Sequence, residues 1–217
     1  MRDDGGMTEN ARPVEALLVV DVQSAFVSGD AAVPSAATLV EQVRGLVSRA
    51  RASGALVIHL QNDGAAGAAD EPGTPGWELH LPVHVGPDEV VIRKTADDGF
   101  SQTHLADLLA ASKVRSLAIC GVMSEMCVSA TARTALSLNF RVVMAHDAHA
   151  TYDIPPAPGV SSLIPAATVS RVAEWALGDR IEIIIRADDV RFIAPTALPP
   201  AMQHEPRAAN PKQPRNR

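Results

Sequence analysis

Residues 116–145 read SLAICGVMSEMCVSATARTALSLNFRVVMA. The segment opens on an apolar, β-rich run, Ser116–Cys120, and leaves it at Gly121, a residue that permits a tight exit. A helical pattern follows over Glu125–Leu138, and Arg141–Ala145 is apolar and β-rich again. Two such strands joined by one helix predict a parallel pair with a right-handed crossover.

The same alternation extends in both directions. Further strands are predicted at Ala16–Val20, Ala55–Leu60, Glu89–Arg93 and Ile181–Ile185. Helices are predicted at Ala36–Ser53, Gln102–Ser112 and Pro165–Leu177. Most of the strands are unbroken Val, Ile and Leu rather than alternating, the pattern of a sheet covered on both faces. The expectation is one three-layer α/β/α domain over residues 14–195. Residues 1–13 and 198–217 lack apolar periodicity and are expected to be flexible tails.

Composition narrows the function classes. Of 217 residues, 47% are hydrophobic and 3% aromatic, and the formal net charge is −6. No basic stripe runs along a predicted element, which argues against nucleic acid. The apolar runs are far shorter than the ~20 residues a spanning helix needs, so no membrane partner is expected. Two cysteines cannot staple a domain of this size, and the amino terminus has no apolar leader, so a reducing, cytoplasmic setting is expected. There is no G-x-G-x-x-G after the first strand and no P-loop signature.

In parallel sheets, ligands bind outside the carboxyl ends of the strands, which makes the residues just past each strand the candidates. Asp21 follows the first strand, Lys94 the third, and Cys127 lies just past the fourth. Alone, the first could be a loop anchor, the second a solvated charge, and the third a small buried hydrophobe. Together they would converge on one rim as base, cation and nucleophile. Cys127 is predicted in the first turn of a helix, where free N–H groups and the dipole would lower its pKa. Cys120, ending a strand, reads as core. The spacing of the two cysteines is not C-x-x-C, which disfavours redox work.

These segments resemble the isochorismatase-like cysteine hydrolases, the superfamily that includes nicotinamidases, N-carbamoylsarcosine amidohydrolase and streptothricin hydrolases. The likeness is carried by Leu17-Leu18-Val19-Val20-Asp21-Val22-Gln23, by Lys94 with Phe100 and Leu105, and by Gly121 to Val128. It continues through Thr131-Ala132 and Val142 to Ala148, spanning nearly the whole predicted domain. Gly73 to His80 and His146 to Asp153 look most like the branch of actinomycete amidohydrolases, streptothricin hydrolases among them. The resemblance implies a doubly wound six-stranded parallel sheet in a homo-oligomer, and a triad of Asp21, Lys94 and Cys127. It also implies a cis peptide bond before Met123 and an oxyanion hole formed by the Met123 and Cys127 N–H groups.

The implied chemistry is cleavage of a C–N amide, lactam or carbamoyl bond of a small molecule through a thioester, with the streptothricin lactam as the first named candidate. An acidic protein suits a cationic antibiotic electrostatically. The alternative is a non-catalytic small-molecule-binding or interaction protein on the same fold. Two departures from the family matter. Ser124 stands where many relatives have Thr, and either can cap a helix. The Asp-x-His metal motif of nicotinamidases is missing, since the region after the second strand reads His59-Leu60-Gln61-Asn62-Asp63. His59, His80 and His84 show no tight ligand spacing, so neither metal nor other cofactor is expected. Gln23, Phe26, Trp77, Phe100 and His149 are the candidate substrate contacts, against plain packing roles for each.

Overall fold

A computed structural model describes residues 12–195. The predicted tail 198–217 lies outside the described residues, as does all of the predicted tail 1–13 except Arg12 and Pro13. Those two are held in place, because the Arg141 guanidinium donates to both of their carbonyl oxygens.

Six parallel strands form one sheet: β1 (Ala16–Val20), β2 (Leu56–Asn62), β3 (Glu89–Lys94), β4 (Ser116–Val122), β5 (Arg141–Ala150) and β6 (Glu182–Ile184). Their spatial order is β3-β2-β1-β4-β5-β6, every neighbouring pair parallel. The chain therefore winds outward from β1 in one direction, returns, and winds outward from β4 in the other. The crevice between the carboxyl ends of β1 and β4 is the switch point at which such sheets place their ligands. The helices are α1 (Ser24–Val27), α2 (Ala36–Ser53), α3 (Leu105–Ala111), α4 (Ser129–Ser137) and α5 (Ala166–Ala176).

Strand periodicity divides the core in two. Leu17, Val19, Val57, Ala118 and Cys120 face α2, whose Leu39, Val43, Leu46, Val47 and Ala50 recur at helical spacing and are buried against them. Leu18, Val20, Ile58, Leu60, Leu117 and Ile119 face α3 and α4, meeting Leu105, Leu109, Ala132 and Ala135. Each fully buried aliphatic side chain contributes about 1.5–3 kcal/mol. Both faces of β1 are thus dry, which is why its sequence does not alternate.

β1 and α2 occupy their predicted ranges. Three elements differ in ways that bear on the site. β4 runs on through Val122, and the Cys127 segment starts at Ser124, one residue before the predicted helix. Helix α3 begins at Leu105, because residues 98–101 are taken up by a turn in which Ser101 N–H donates to Asp98 O. β5 continues five residues beyond Ala145, with Ile119 opposite Met144 but Gly121 opposite His149. The polar residues His146 and Asp147, which read as the start of a loop, are carried inside that irregular strand.

Candidate active site

Asp21 caps the carboxyl end of β1 in the left-handed region, at φ 50°, an unfavourable backbone for a residue with a side chain, costing about 1–3 kcal/mol. Its N–H donates to Leu60 O, fixing it against β2. The turn directs its carboxylate inward, where it is 2% exposed. Lys94, the last residue of β3, donates from Nζ to Asp21 Oδ2 at 2.7 Å. The same ammonium reaches Ala96 O at 3.1 Å, Asn62 Oδ1 at 3.4 Å and Cys127 Sγ at 3.5 Å. Asn62 ends β2, the strand between β1 and β3, and its amide in turn donates to Asp70 Oδ2 at 2.6 Å. Asp21, Lys94 and Cys127 are therefore brought together, as their positions past separate strands led us to expect.

Burial pushes the Asp21 carboxyl up to about 6, against the pull of the Lys94 ammonium. Burial alone would lower Lys94, but the Asp21 carboxylate and the Cys127 sulfur beside it hold it above the usual range. The Cys127 thiol is pushed up, first by burial and then by the neighbouring Asp21 charge. This corrects the expectation of a lowered thiol pKa at a helix start. The segment Ser124–Val128 is a π-helical turn rather than the first turn of a regular helix, and Met126 within it sits at φ −105°, ψ −105°. Desolvation outweighs the few N–H dipoles such a turn offers. Cys127 thus sits as a thiol among carboxylates, with its Sγ also 3.6 Å from Asp97 Oδ1.

Gly121 sets how close β4 comes to β1. It adopts φ 122°, and a Cβ built there would lie 2.0 Å from Val20 O. The Val122–Met123 peptide bond that follows is cis, as the family likeness implies. Met123 O accepts from the N–H groups of Met126 and Val128, at 3.1 and 3.2 Å, which folds the turn around Cys127. Ser124 does not cap a helix. Its buried hydroxyl lies 2.8 Å from His149 Nδ1 and 2.9 Å from Ser170 Oγ, tying the turn to β5 and α5.

The predicted substrate contacts have other occupations. Gln23 is fully buried, and its amide is used on backbone: Nε2 donates to Asn62 O and Trp77 O, and Oε1 accepts from Asn62 N–H. It latches the 72–80 loop to the end of β2, which leaves no polar atom for substrate. The Trp77 indole N–H donates to Asp63 Oδ1, and Arg93 stacks on the ring at 5.0 Å. Phe26 packs, half-buried, on the α2 side of the core. Phe100 stacks on Phe140, 6.4 Å between centroids, on the opposite side. His149 is buried in β5, with Nε2 3.0 Å from Glu174 Oε1, rather than free in a loop. His59 is likewise buried, 2.9 Å from Glu89 Oε1, and Cys120 is fully buried in the core.

Reading the sequence missed Asn62, Asp70, Ser170 and Glu174. Asn62 lies two residues past the predicted second strand, one position beyond the rule that found Asp21 and Lys94. Nothing local marks Glu174, which lies 25 residues from its partner His149.

The isochorismatase domain family matches residues 15–156. The chain belongs to the isochorismatase family. A streptothricin hydrolase of Streptomyces noursei is 66% identical over 86% of this chain and 67% of its own length. A ureidoacrylate amidohydrolase of Variovorax paradoxus is 30% identical over 61% of this chain and 67% of its own. Among solved structures, an isochorismatase from Pseudomonas putida superposes with a TM-score of 0.74 at 26% identity, covering 83% of this chain and 94% of its own. The doubly wound three-layer sheet is thus the fold of this isochorismatase-family chain and of its structural neighbours.

Proposed function

We propose that this isochorismatase-family enzyme hydrolyses the lactam of streptothricin, with Cys127 as nucleophile, Asp21 as base and Lys94 as the cation between them. That it is a hydrolase of carbon–nitrogen bonds other than peptide bonds follows from its kinship with streptothricin hydrolase and ureidoacrylate amidohydrolase. This sets the non-catalytic binding alternative aside. The substrate reading rests on the 66% identity to streptothricin hydrolase. The mechanism rests on one observation: Lys94 Nζ bridges Asp21 Oδ2 and Cys127 Sγ at 2.7 and 3.5 Å.

Because the thiol is protonated at rest, Asp21 takes its proton as Sγ attacks the amide carbonyl, and Lys94 holds the negative charge that passes between carboxylate and sulfur. The Met123 and Cys127 N–H groups receive the oxyanion, each such donor being worth about 10²–10³ in rate. Asp21 then gives its proton to the leaving amine, withdraws another from the water that opens the thioester, and passes that proton to the departing Cys127 sulfur, which restores the thiol. We take residues 14–195 as the catalytic unit, working as a homo-oligomer in the cytoplasm. Exposed Ile154, Val172 and Trp175 offer apolar surface for self-association. Among the described residues, no helix is long and apolar enough to cross a membrane.

The test is incubation with streptothricin followed by mass spectrometry. We expect a product heavier by one water, formed by the native enzyme and not by Cys127→Ala. Streptothricin left intact by the native enzyme would remove the substrate assignment, and turnover by Cys127→Ala would remove the mechanism.

A further inference from the structure

We propose that His146, His149 and Glu174 form a binding site for a divalent transition-metal ion of the zinc type, separate from the Asp21–Lys94–Cys127 centre. One atom from each residue, an imidazole nitrogen from each histidine and a carboxylate oxygen, lies within 4.8 Å of the other two. Two nitrogens and one oxygen are a donor set that suits Zn²⁺, and three protein ligands leave a position open.

The backbone is irregular at the point that makes this possible. Residues three apart on a regular strand point to opposite faces. Between the pairs Ile119–Met144 and Gly121–His149, β5 advances five residues while β4 advances two. The three extra residues form a bulge, a device that re-aims side chains. It turns both His146 Nδ1 and His149 Nε2 onto Glu174 Oε1, at 2.5 and 3.0 Å.

The surroundings fit an ion. The side chains of His149 and Glu174 are wholly buried, while that of His146 is 40% exposed, giving one rigid wall and one path of entry. The second ring nitrogen of His149 is 2.8 Å from Ser124 Oγ. Metal-bound imidazoles are commonly oriented by such a partner on the far nitrogen. A hydroxyl can accept as readily as donate, so Nδ1 can carry the ring proton and leave the Nε2 lone pair for the ion. His146 and His149 also line a cavity of about 460 Å³, shared with Asp147, Thr151 and Asp153. His59, His80 and His84 take no part in this cluster.

The experiment uses the full chain, stripped with a chelator and titrated with Co²⁺, whose visible absorption reports its ligands, then with Zn²⁺ as competitor. We expect one Co²⁺ per chain, displaced by Zn²⁺, and a melting temperature raised by Zn²⁺. His146→Ala, at a half-exposed position, should weaken binding by at least about tenfold, and Glu174→Gln should do likewise. Should His146→Ala fail to fold, His146→Asn serves in its place. Cys127→Ala should bind as tightly as the native chain. Absence of one-to-one binding, equal affinity in the His146 variant, or loss of binding in Cys127→Ala would each overturn the proposal.

Discussion

Lys94 Nζ lies 2.7 Å from Asp21 Oδ2, although the two residues end strands that are not neighbours, with β2 between them. Both side chains are almost wholly out of water. Removing one partner of such a pair strands a buried charge, which costs about 3–5 kcal/mol. Lys94→Met should therefore lower stability by about that amount in urea unfolding at pH 7. The deficit should shrink at pH 5, where Asp21 can take a proton and lose its charge.

Activity should have an acid limb near pH 6. The Asp21 carboxyl is raised from its usual 3.8 to about 6, so it binds its proton more tightly folded than unfolded. Its contribution to stability is then complete below about pH 4 and lost as pH climbs through about 6, the interval in which it becomes a base. A profile of kcat/KM against pH should rise through an apparent value near 6 that belongs to the coupled set. A limb near 4 instead would show that Asp21 is not the base.

Cys127 should react slowly with iodoacetamide at pH 7, because burial and the Asp21 charge keep it as a thiol. Cys127→Ser should lose about 10³-fold or more in kcat while keeping the native circular dichroism. Fast labelling would mean that the resting residue is a thiolate.

Gly121→Ala tests the approach of β4 to β1. The added Cβ would meet Val20 O at 2.0 Å, in a backbone conformation that side chains disfavour. A loss of about 3 kcal/mol or more is expected, by the strain route to large effects, together with a fall in kcat as the turn bearing Cys127 shifts. Wild-type stability in this variant would show that the strands can part without consequence.

Gln23→Ala separates latch from substrate contact. It removes the partner of the Asn62 N–H and the Gln23 bond to Asn62 O, at about 1–3 kcal/mol for an unsatisfied buried group, while Trp77 O keeps its bond from Gln61 Nε2. Stability should fall while KM for a small substrate changes little. The reverse pattern would restore the substrate-binding role.

How far the sequence could be read depended on whether the relevant physics was local. β1 is legible because five apolar residues buried on both faces can do little else, and α2 because its stripe and Gly54 define both its face and its end. Asp21 and Lys94 are legible because a charge directly past such a strand needs a partner. The thiol's protonation was misread, since dipole arguments assume a regular helix and a wet terminus, and neither is present at Ser124–Val128. The partners of Gln23 and His149 were hidden for a related reason. They are Trp77 and Glu174, 54 and 25 residues away, and polar residues near a rim look alike until those partners are placed.

The grip on Trp77 has a consequence for how such an enzyme changes its diet. Gln23 and Gln61 both seize the carbonyl of that residue, a group every amino acid carries, and not its indole. The course of the loop is anchored through its main chain, and the Trp77 indole is held separately by Asp63 and Arg93. Position 77 can then be rewritten by mutation while Asp21, two residues before Gln23, stays where it is.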